Sequence, residues 1–390
     1  MNRKSLLWFP IILVITAVIA MYAIGGCAPV EEPVVEEPVE EPVVEEPEPE
    51  PVEEPDPVEE PEPVEEPEPV EEPEIREGPF LIGNVIKNVG NPFFEAAEEG
   101  CIEALEEFGE GDELIFLGPE TPTVEGQIEI IDSMIVQGVD GITITSNDPD
   151  ALVPVSQKAM DAGIVVTSWD SFISPEGSQL FINQADMEQI GRIQVQMMAE
   201  ILDYEGEFAI LSAGPTMANQ NTWIRWMQEE LAEPEYENME LVAIVYGMDE
   251  REKSYTEATG LFRSYPDLRG IISPTTVGMA ATGRAIMDAD LVDQVYLTGL
   301  GLPSEMAEYI RAGVCPQMAL WNPIDLGYMA TYVTRLLVSG EISGEAGETF
   351  EVGRMGEREI EEHAELGHMV LLGPPFVFDQ DNIDEWADVY

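Results

Sequence analysis

Polar and aromatic side chains gather directly after several of the strands that this sequence predicts. Lys87 follows the apolar run 81–86, and Asp170 closely follows the run 164–168. In open α/β sheets, ligands bind outside the carboxyl ends of the strands, so we expect these side chains to share one cleft. The candidate ligand-contacting residues are Lys87, Phe93, Phe94, Asp170, Asn219, Gln220, Trp223, Pro274, Thr276, Trp321 and Asn322.

This mixture of side chains suits a sugar. Each sugar hydroxyl is both a donor and an acceptor, so carboxylates, amides and an ammonium group in fixed places satisfy it. The C–H faces of a sugar ring pack on flat aromatic side chains. Taken singly, these residues also have structural explanations. Lys87 could be a solvated loop lysine, Asp170 could cap the next segment, and Trp321 could be a core residue. Their joint placement after strands favours a ligand cleft.

The sequence offers little for catalysis or metal binding. Its two histidines, His363 and His368, are five residues apart, which does not place them on one helix face, and we predict surface positions for both. There is no G-x-S-x-G, no Walker loop, and only Gly299 and Gly301 of a dinucleotide fingerprint. We therefore predict no catalytic residue, no metal and no cofactor. Paired carboxylates in so acidic a chain leave a secreted hydrolase open.

Strands and helices alternate along residues 78–390. Helical periods such as 124–137 and 219–232 separate the predicted strands, which lie at 80–86, 114–117, 141–145, 164–168, 180–183, 207–212, 241–246, 270–273, 294–298, 317–320 and near 375–378. This order predicts an α/β fold with parallel sheets covered by helices on both faces. About twelve predicted strands exceed one comfortable open sheet, so we expect two Rossmann-like lobes.

The first 26 residues have the features of a secretory signal. Residues 2–4 are a short basic start, residues 6–21 are almost unbroken apolar sequence, and Gly-Gly-Cys stands at 25–27. A cysteine directly after two glycines resembles the lipobox of bacterial lipoproteins, in which the signal is cut before the cysteine and lipid is attached to its sulfur. We expect a lipoprotein signal peptide at 1–26 and a lipidated Cys27. An uncleaved transmembrane anchor is the alternative.

Residues 27–77 are a low-complexity segment of Glu, Pro and Val. Residues 31–77 contain 23 acidic residues and one basic residue, Arg76. Such a segment cannot bury apolar surface, and like charges extend it. At about 3.1 Å per residue in polyproline II, roughly 50 residues reach ~150 Å. We expect a disordered stalk between the lipid anchor and the folded part.

The remaining residues, 78–390, are strongly acidic. They hold 56 acidic against 13 basic residues, a net charge of −43, which excludes nucleic acid as a partner. An acid-rich, lysine-poor surface indicates adaptation to high salt, where screening reduces self-repulsion. Three cysteines do not make a disulfide framework. Cys101 and Cys315 are expected to be buried free thiols, with a bridge between them left open.

Seven segments spread over residues 78–390 resemble a known family. They are KNVGNPFF, GPETPTVEGQIEIIDSMI, DALVPVSQKAMDAGI, ANQNTW, SYPDLRGIISPTTVG, TGLGLPSEM and ALWNPIDLGY. They are similar to the rhamnose-type sugar-binding proteins of ABC importers and to the related autoinducer-2-binding proteins. The resemblance implies the type I periplasmic binding fold, with two lobes joined by three hinge crossings. By that pattern, lobe one spans 78–183 and 299–365, and lobe two spans 184–298 and 366–390.

The resemblance also implies roles for single residues. Lys87 matches a ligand-contacting lysine after the first strand, and Asp170 matches a ligand carboxylate at the first crossing. Gln220 matches an amide of the second lobe, Pro274 a backbone contact, and Trp321 the tryptophan of the third crossing region.

Two positions separate the branches of that family. Asn219 stands where autoinducer-2 receptors carry Asp, and Thr276 where they carry Ala; both look like the rhamnose-type branch. The resemblance implies a monomeric, non-enzymatic protein that captures a small sugar, with L-rhamnose as the first choice. Its partners would be an ABC permease and its ATPase, and its location extracytoplasmic on a lipid anchor. An autoinducer-2 receptor or a sugar-sensing subunit of the same fold is the alternative.

Overall fold

The computed structural model describes residues 75–109 and 111–390. The predicted signal peptide, Cys27 and nearly all of the predicted stalk lie outside the described residues. Within them, no helix is long and apolar enough to cross a membrane. The described chain alternates strands with helices and forms two lobes with mostly parallel sheets, so the predicted α/β class is confirmed.

Lobe one is built on an eight-stranded sheet. Its strands are β1 (Leu81–Val85), β2 (Glu113–Leu117), β3 (Gly141–Ile144), β4 (Val165–Trp169), β5 (Leu180–Asn183), β11 (Thr349–Glu351), β12 (Glu357–His363) and β13 (Gly367–Leu371). Their order is β11-β12-β13-β5-β4-β3-β1-β2. Neighbours are parallel, except that β12 runs antiparallel to β11 and β13. The helices of this lobe are α1 (Pro92–Glu107), α2 (Val124–Gln137), α3 (Val153–Asp161) and α9 (Pro323–Ser339).

Helices α1 and α9 pack on each other at two glycines. A Cβ atom on Gly100 would lie 1.8 Å from the main-chain oxygen of Ile324, and one on Gly327 would lie 2.1 Å from that of Ala97. The helix backbones therefore touch, which only glycine permits at these two positions. This contact holds α9, which comes late in the chain, against α1 at the beginning of lobe one.

Lobe two is built on a four-stranded parallel sheet. Its strands are β6 (Gly206–Ser212), β7 (Met239–Tyr246), β8 (Leu268–Ser273) and β9 (Tyr296–Gly299), in the order β7-β6-β8-β9. Beyond β9, β10 (Gln317–Leu320) pairs antiparallel with β14 (Phe376–Asp379). The helices are α4 (Met187–Leu202), α5 (Ala218–Leu231), α6 (Arg251–Ser264), α7 (Thr276–Asp288), α8 (Pro303–Arg311) and α10 (Ile383–Trp386).

The chain crosses between the lobes after β5, after β10 and after β13. Two predicted boundaries are therefore wrong. Residues 299–320 stay in lobe two, because α8 packs on α7 and α10 and β10 pairs with β14. Residues 366–371 stay in lobe one, because β13 pairs with β5. An alternating pattern of strands and helices does not determine which sheet a strand joins, so the pattern could not locate these two boundaries.

Candidate ligand-binding site

A buried cavity lies between the two lobes, at the carboxyl ends of their strands. About 370 Å³ of space free of protein atoms, open solvent included, lies among its lining residues. Both lobes contribute to its lining, and every lining residue is buried. The lining residues are Lys87, Asn91, Phe93, Phe94, Asp170, Asn219, Gln220, Trp223, Asp249, Pro274, Thr275, Thr276, Leu300, Leu320 and Trp321.

An ion pair forms the polar wall that lobe one contributes to the cavity. Lys87 Nζ lies 3.0 Å from Asp170 Oδ2, and the two side chains are only 4% and 7% exposed. The hydroxyl of Thr145 donates to the same oxygen at 3.0 Å. Asp170 has a left-handed backbone (φ 57°) where the chain leaves β4. A buried ion pair needs additional hydrogen bonds of this kind. In the described ranges Asp170 Oδ1 has no partner, so it can accept a hydrogen bond from a ligand.

Two amides at the start of α5 face the cavity from lobe two. Gln220 Oε1 accepts from Ser212 Oγ at 2.9 Å and from the main-chain nitrogen of Ala213 at 2.8 Å. These two bonds fix the orientation of the amide, so its Nε2 is the group available to a ligand. Asn219 Nδ2 donates to the main-chain oxygen of Asp170, 3.4 Å away on the other lobe.

Aromatic rings form the apolar side of the cavity. The ring of Trp321 meets Phe93 edge to face with centroids 6.3 Å apart, and it tilts against Trp223 at 5.8 Å. The start of α1 positions Phe93, since Pro92 occupies the first turn and the Asn91 side chain accepts from the main-chain nitrogen of Phe93 at 3.1 Å. Trp321 Nε1 is buried without a partner among the described residues, so it is a donor open to a ligand.

Asp249 is a cavity residue that the sequence interpretation missed. It comes shortly after β7 and is 8% exposed, and its Oδ1 accepts from Thr275 Oγ1. Burial raises the pKa of its carboxyl; the Lys87 ammonium opposes that shift, and the charge of Asp170 adds to it. The signal that selected the other candidates, a polar residue just after a predicted strand, was also present here.

The structure brings ten of the eleven predicted contact residues into the cavity lining. The exception is Asn322, which caps α9 and is not a lining residue. Its Oδ1 accepts from the main-chain nitrogens of Ile324 at 2.9 Å and Asp325 at 3.4 Å. A capping Asn and a ligand-binding Asn look alike in sequence, since both stand directly before a helix. Besides Asp249, the prediction omitted Asn91, Thr275, Leu300 and Leu320.

The histidines and cysteines of the described residues are not part of the cavity lining. In the part of the chain that the structure describes, no group of three or more side chains could hold a metal ion. His363 is exposed, and His368 is half-buried with Nδ1 2.9 Å from the main-chain oxygen of Gly344. Cys101 and Cys315 are free and buried, so no bridge joins them. Burial raises the pKa of Cys101 to about 12, which makes its thiol unreactive at neutral pH.

Two α/β lobes that enclose a small cavity with polar and aromatic walls are typical of a two-lobed solute-binding protein. The chain belongs to the periplasmic binding protein family, whose domain model matches residues 82–342. It is similar to the crystal structure of an ABC transporter solute-binding protein from Clostridium phytofermentas with bound L-rhamnose. That pair shares 37% identity over 80% of this chain and 99% of that chain, with a TM-score of 0.78.

Two further relatives extend the comparison. The chain is 28% identical over 225 residues to the D-ribose/D-allose-binding protein of Pseudomonas aeruginosa, a match that covers 56% of this chain and 69% of that protein. LsrB from Clostridium saccharobutylicum, in complex with AI-2, shares the fold with a TM-score of 0.75, at 23% identity over 78% of this chain and 99% of that chain. The chain is thus a solute-binding protein of the sugar-binding ABC transporter type and not an enzyme. Its family acts outside the cytoplasm.

Proposed function

We propose that this protein captures L-rhamnose between its lobes and delivers it to an ABC permease driven by an ATPase. The observation that carries the proposal is the Lys87–Asp170 ion pair, buried in a cavity whose other walls are aromatic rings and amides. A charged pair can accept and donate in fixed directions, which a neutral polyol needs and a purely apolar ligand does not. The similarity to the rhamnose-bound protein, over almost its whole length, supports the choice of sugar.

The apolar part of the lining supports a deoxy sugar. L-rhamnose carries a methyl group where a hexose carries a hydroxymethyl group. Leu300, Leu320 and Trp321 belong to the lining and offer a methyl group apolar contact. One methylene in such a pocket contributes about 1–3 kcal/mol to discrimination between ligands. We therefore propose that these three side chains surround the methyl group of the sugar.

Capture would proceed by hinge closure. The candidate contacts divide between the lobes, with Lys87 and Asp170 on lobe one and Gln220 and Pro274 on lobe two. All of them can hold one small molecule only when the lobes are closed. A ligand that binds the closed form more tightly shifts the population toward it, and that closed form would be what the permease recognises.

The proposal includes an attachment to the membrane. The Gly-Gly-Cys sequence at 25–27 supports a lipid on Cys27, and the Glu- and Pro-rich segment after it supports a stalk of roughly 50 residues. A monomer held in this way outside the cytoplasm would remain close to its permease while its lobes open and close.

Calorimetric titration with three related sugars tests the choice of ligand. L-rhamnose should bind most tightly. L-lyxose lacks the methyl group, and L-mannose adds a hydroxyl to it, so each should bind about tenfold or more weakly. At ~100 times Kd, L-rhamnose should also stabilise the fold by about 2.7 kcal/mol. Tighter binding of D-ribose or autoinducer-2 than of L-rhamnose would contradict the proposal and identify the other ligand.

A further inference from the structure

Asp249 is the one charged side chain that lobe two contributes to the cavity lining. It lies in the loop between β7 and α6, where Met248 and Asp249 both have left-handed backbones, with φ 57° and 49°. Such conformations cost free energy and persist where the surroundings fix them, often at binding sites. The loop packs tightly, since a Cβ atom on Gly247 would lie 2.0 Å from Ser254 Oγ. The surroundings thus constrain the backbone that carries Asp249.

The hydrogen bonds of Asp249 are incomplete. Its Oδ1 accepts from Thr275 Oγ1, whereas Oδ2 has no hydrogen-bond partner within residues 75–109 and 111–390. Lys87, the one cation of the lining, is bonded to Asp170. The cavity therefore contains one carboxylate more than its single ammonium group neutralises. Burial raises the pKa of Asp249, as expected for a carboxylate that lacks enough donors.

We propose that Asp249 is a sugar-contacting residue that accepts a hydrogen bond from a ligand hydroxyl through Oδ2. The inference rests on the proposed function, since it requires a hydroxylated ligand in this cavity. A ligand bonded to Asp170 on lobe one and Asp249 on lobe two joins the lobes directly. Two carboxylates on different lobes of the closed form also select among sugars, because an analogue without the matching hydroxyl leaves a buried charge unpaired.

Replacement of Asp249 by Asn tests this role. Asn keeps the shape of the side chain and tolerates the left-handed backbone, but it loses the charge and one acceptor. We expect Asp249→Asn to weaken L-rhamnose binding at least tenfold in calorimetry. Without sugar, its unfolding temperature should be equal to or higher than that of the wild type, because a poorly solvated carboxylate has been removed. Glu250→Gln is the matched control, since it removes one charge from the next, exposed residue. It should change neither the affinity for L-rhamnose nor the unfolding temperature without sugar.

The outcomes separate this inference from the proposed function. The wild type is titrated first with L-rhamnose, then with D-ribose, D-allose and autoinducer-2, and the variants are titrated with whichever ligand binds. If none binds the wild type, the proposed function and the role of Asp249 are both wrong. If the wild type binds and Asp249→Asn binds as tightly as Glu250→Gln, only the role of Asp249 is wrong. A large fall in the ligand-free unfolding temperature of Asp249→Asn would assign the residue a structural role instead.

Discussion

The side-chain nitrogen of Asn219 on lobe two donates a hydrogen bond to the main-chain oxygen of Asp170 on lobe one. The hydroxyl of Thr216 similarly donates across the lobes to the main-chain oxygen of Asn147, at 3.1 Å. Both bonds require the lobes to be closed. Asn219 therefore lines the cavity and also joins the two lobes directly.

Asn219→Asp should weaken closure. A carboxylate cannot donate to the oxygen of Asp170, and it adds a negative charge near the carboxylates of Asp170 and Asp249. We expect sugar affinity to fall at least tenfold, or about 1.4 kcal/mol, in calorimetry. Gln228→Glu makes the same chemical change at an exposed position of α5 and should have no effect. Equal affinity in the two variants would show that the bond across the lobes does not contribute.

Asp170→Asn should abolish most of the binding. Asn fits the left-handed backbone at this position, so the fold should survive. Lys87 would lose the partner that lies 3.0 Å away, and a buried charge without its partner costs about 3–5 kcal/mol in the closed form. We expect a loss of affinity of roughly 100-fold or more in the same titration.

Two further variants test whether the pair is the cause. Asp161→Asn, at an exposed position at the end of α3, should bind sugar like the wild type. Asp170→Asn combined with Lys87→Met should destabilise the ligand-free protein less than the two separate losses added together, because residues in direct contact are not independent. Strict additivity would show that the two charges do not interact.

The sequence selected residues that line the cavity more accurately than it divided the chain into lobes. Strand ends are local features, and parallel strands place their carboxyl ends on one edge of a sheet, so residues such as Lys87 and Asp170 could be selected without knowing the strand order. Asn322 caps α9 and is not a lining residue, and the sequence does not distinguish the two positions because a helix cap and a ligand contact both precede a helix. Asp249 was missed, although it comes shortly after β7 in the same way as the others.

The lobe boundaries depend on contacts between distant segments. Whether β10 and β13 join one sheet or the other is decided by pairing with β14 and β5, which no local pattern encodes. Helix α4 and the strands β11–β13 were not predicted at all. Strand β12 is mostly exposed and charged, so it lacks the apolar run that identifies a buried parallel strand. The family resemblance supplied the number of crossings, but it placed the second and third crossings at the wrong residues.

Gly100→Ala should destabilise the fold. The new Cβ atom would overlap the backbone of α9 at Ile324, and a backbone cannot rotate away as a side chain can. We expect a loss of about 3 kcal/mol or more, which lowers Tm by roughly 5 °C or more in calorimetry for a protein of this size. Gly260→Ala in α6 is the control: a Cβ atom there would meet no atom within 4 Å outside its own helix and chain neighbours, so the change should raise stability by about 0.5–1 kcal/mol. A similar response to both changes would contradict the close packing of α1 and α9.

Cys27 should determine where the protein is found in the cell. If the sequence at 25–27 directs lipid attachment, the mature protein begins at Cys27, and mass spectrometry should detect an acylated first residue. Cys27→Ala should move the protein out of the membrane fraction or leave its signal uncut. Cys101→Ala is the control, since that thiol is buried and far from a lipobox. A mature protein that retains residues 1–26 would contradict the lipoprotein interpretation.

Salt should stabilise the folded part, because acidic residues outnumber basic ones by 56 to 13 in residues 78–390. Salt weakens the exposed ion pairs, such as Arg225–Glu365, but each of these contributes little, whereas the repulsion involves the whole surface. The Debye length falls from about 30 Å at 0.01 M to ~8 Å at 0.15 M and ~3 Å at 1 M, so the steepest gain in stability should come at low KCl concentrations and a smaller gain should follow up to molar KCl.

The urea midpoint should rise in this way while the m-value stays constant. A neutral osmolyte at matched osmolality should not reproduce the steep rise of the urea midpoint that KCl causes at low concentrations. A midpoint that stays flat or falls with KCl would contradict adaptation to high salt and would leave the sugar site unaffected.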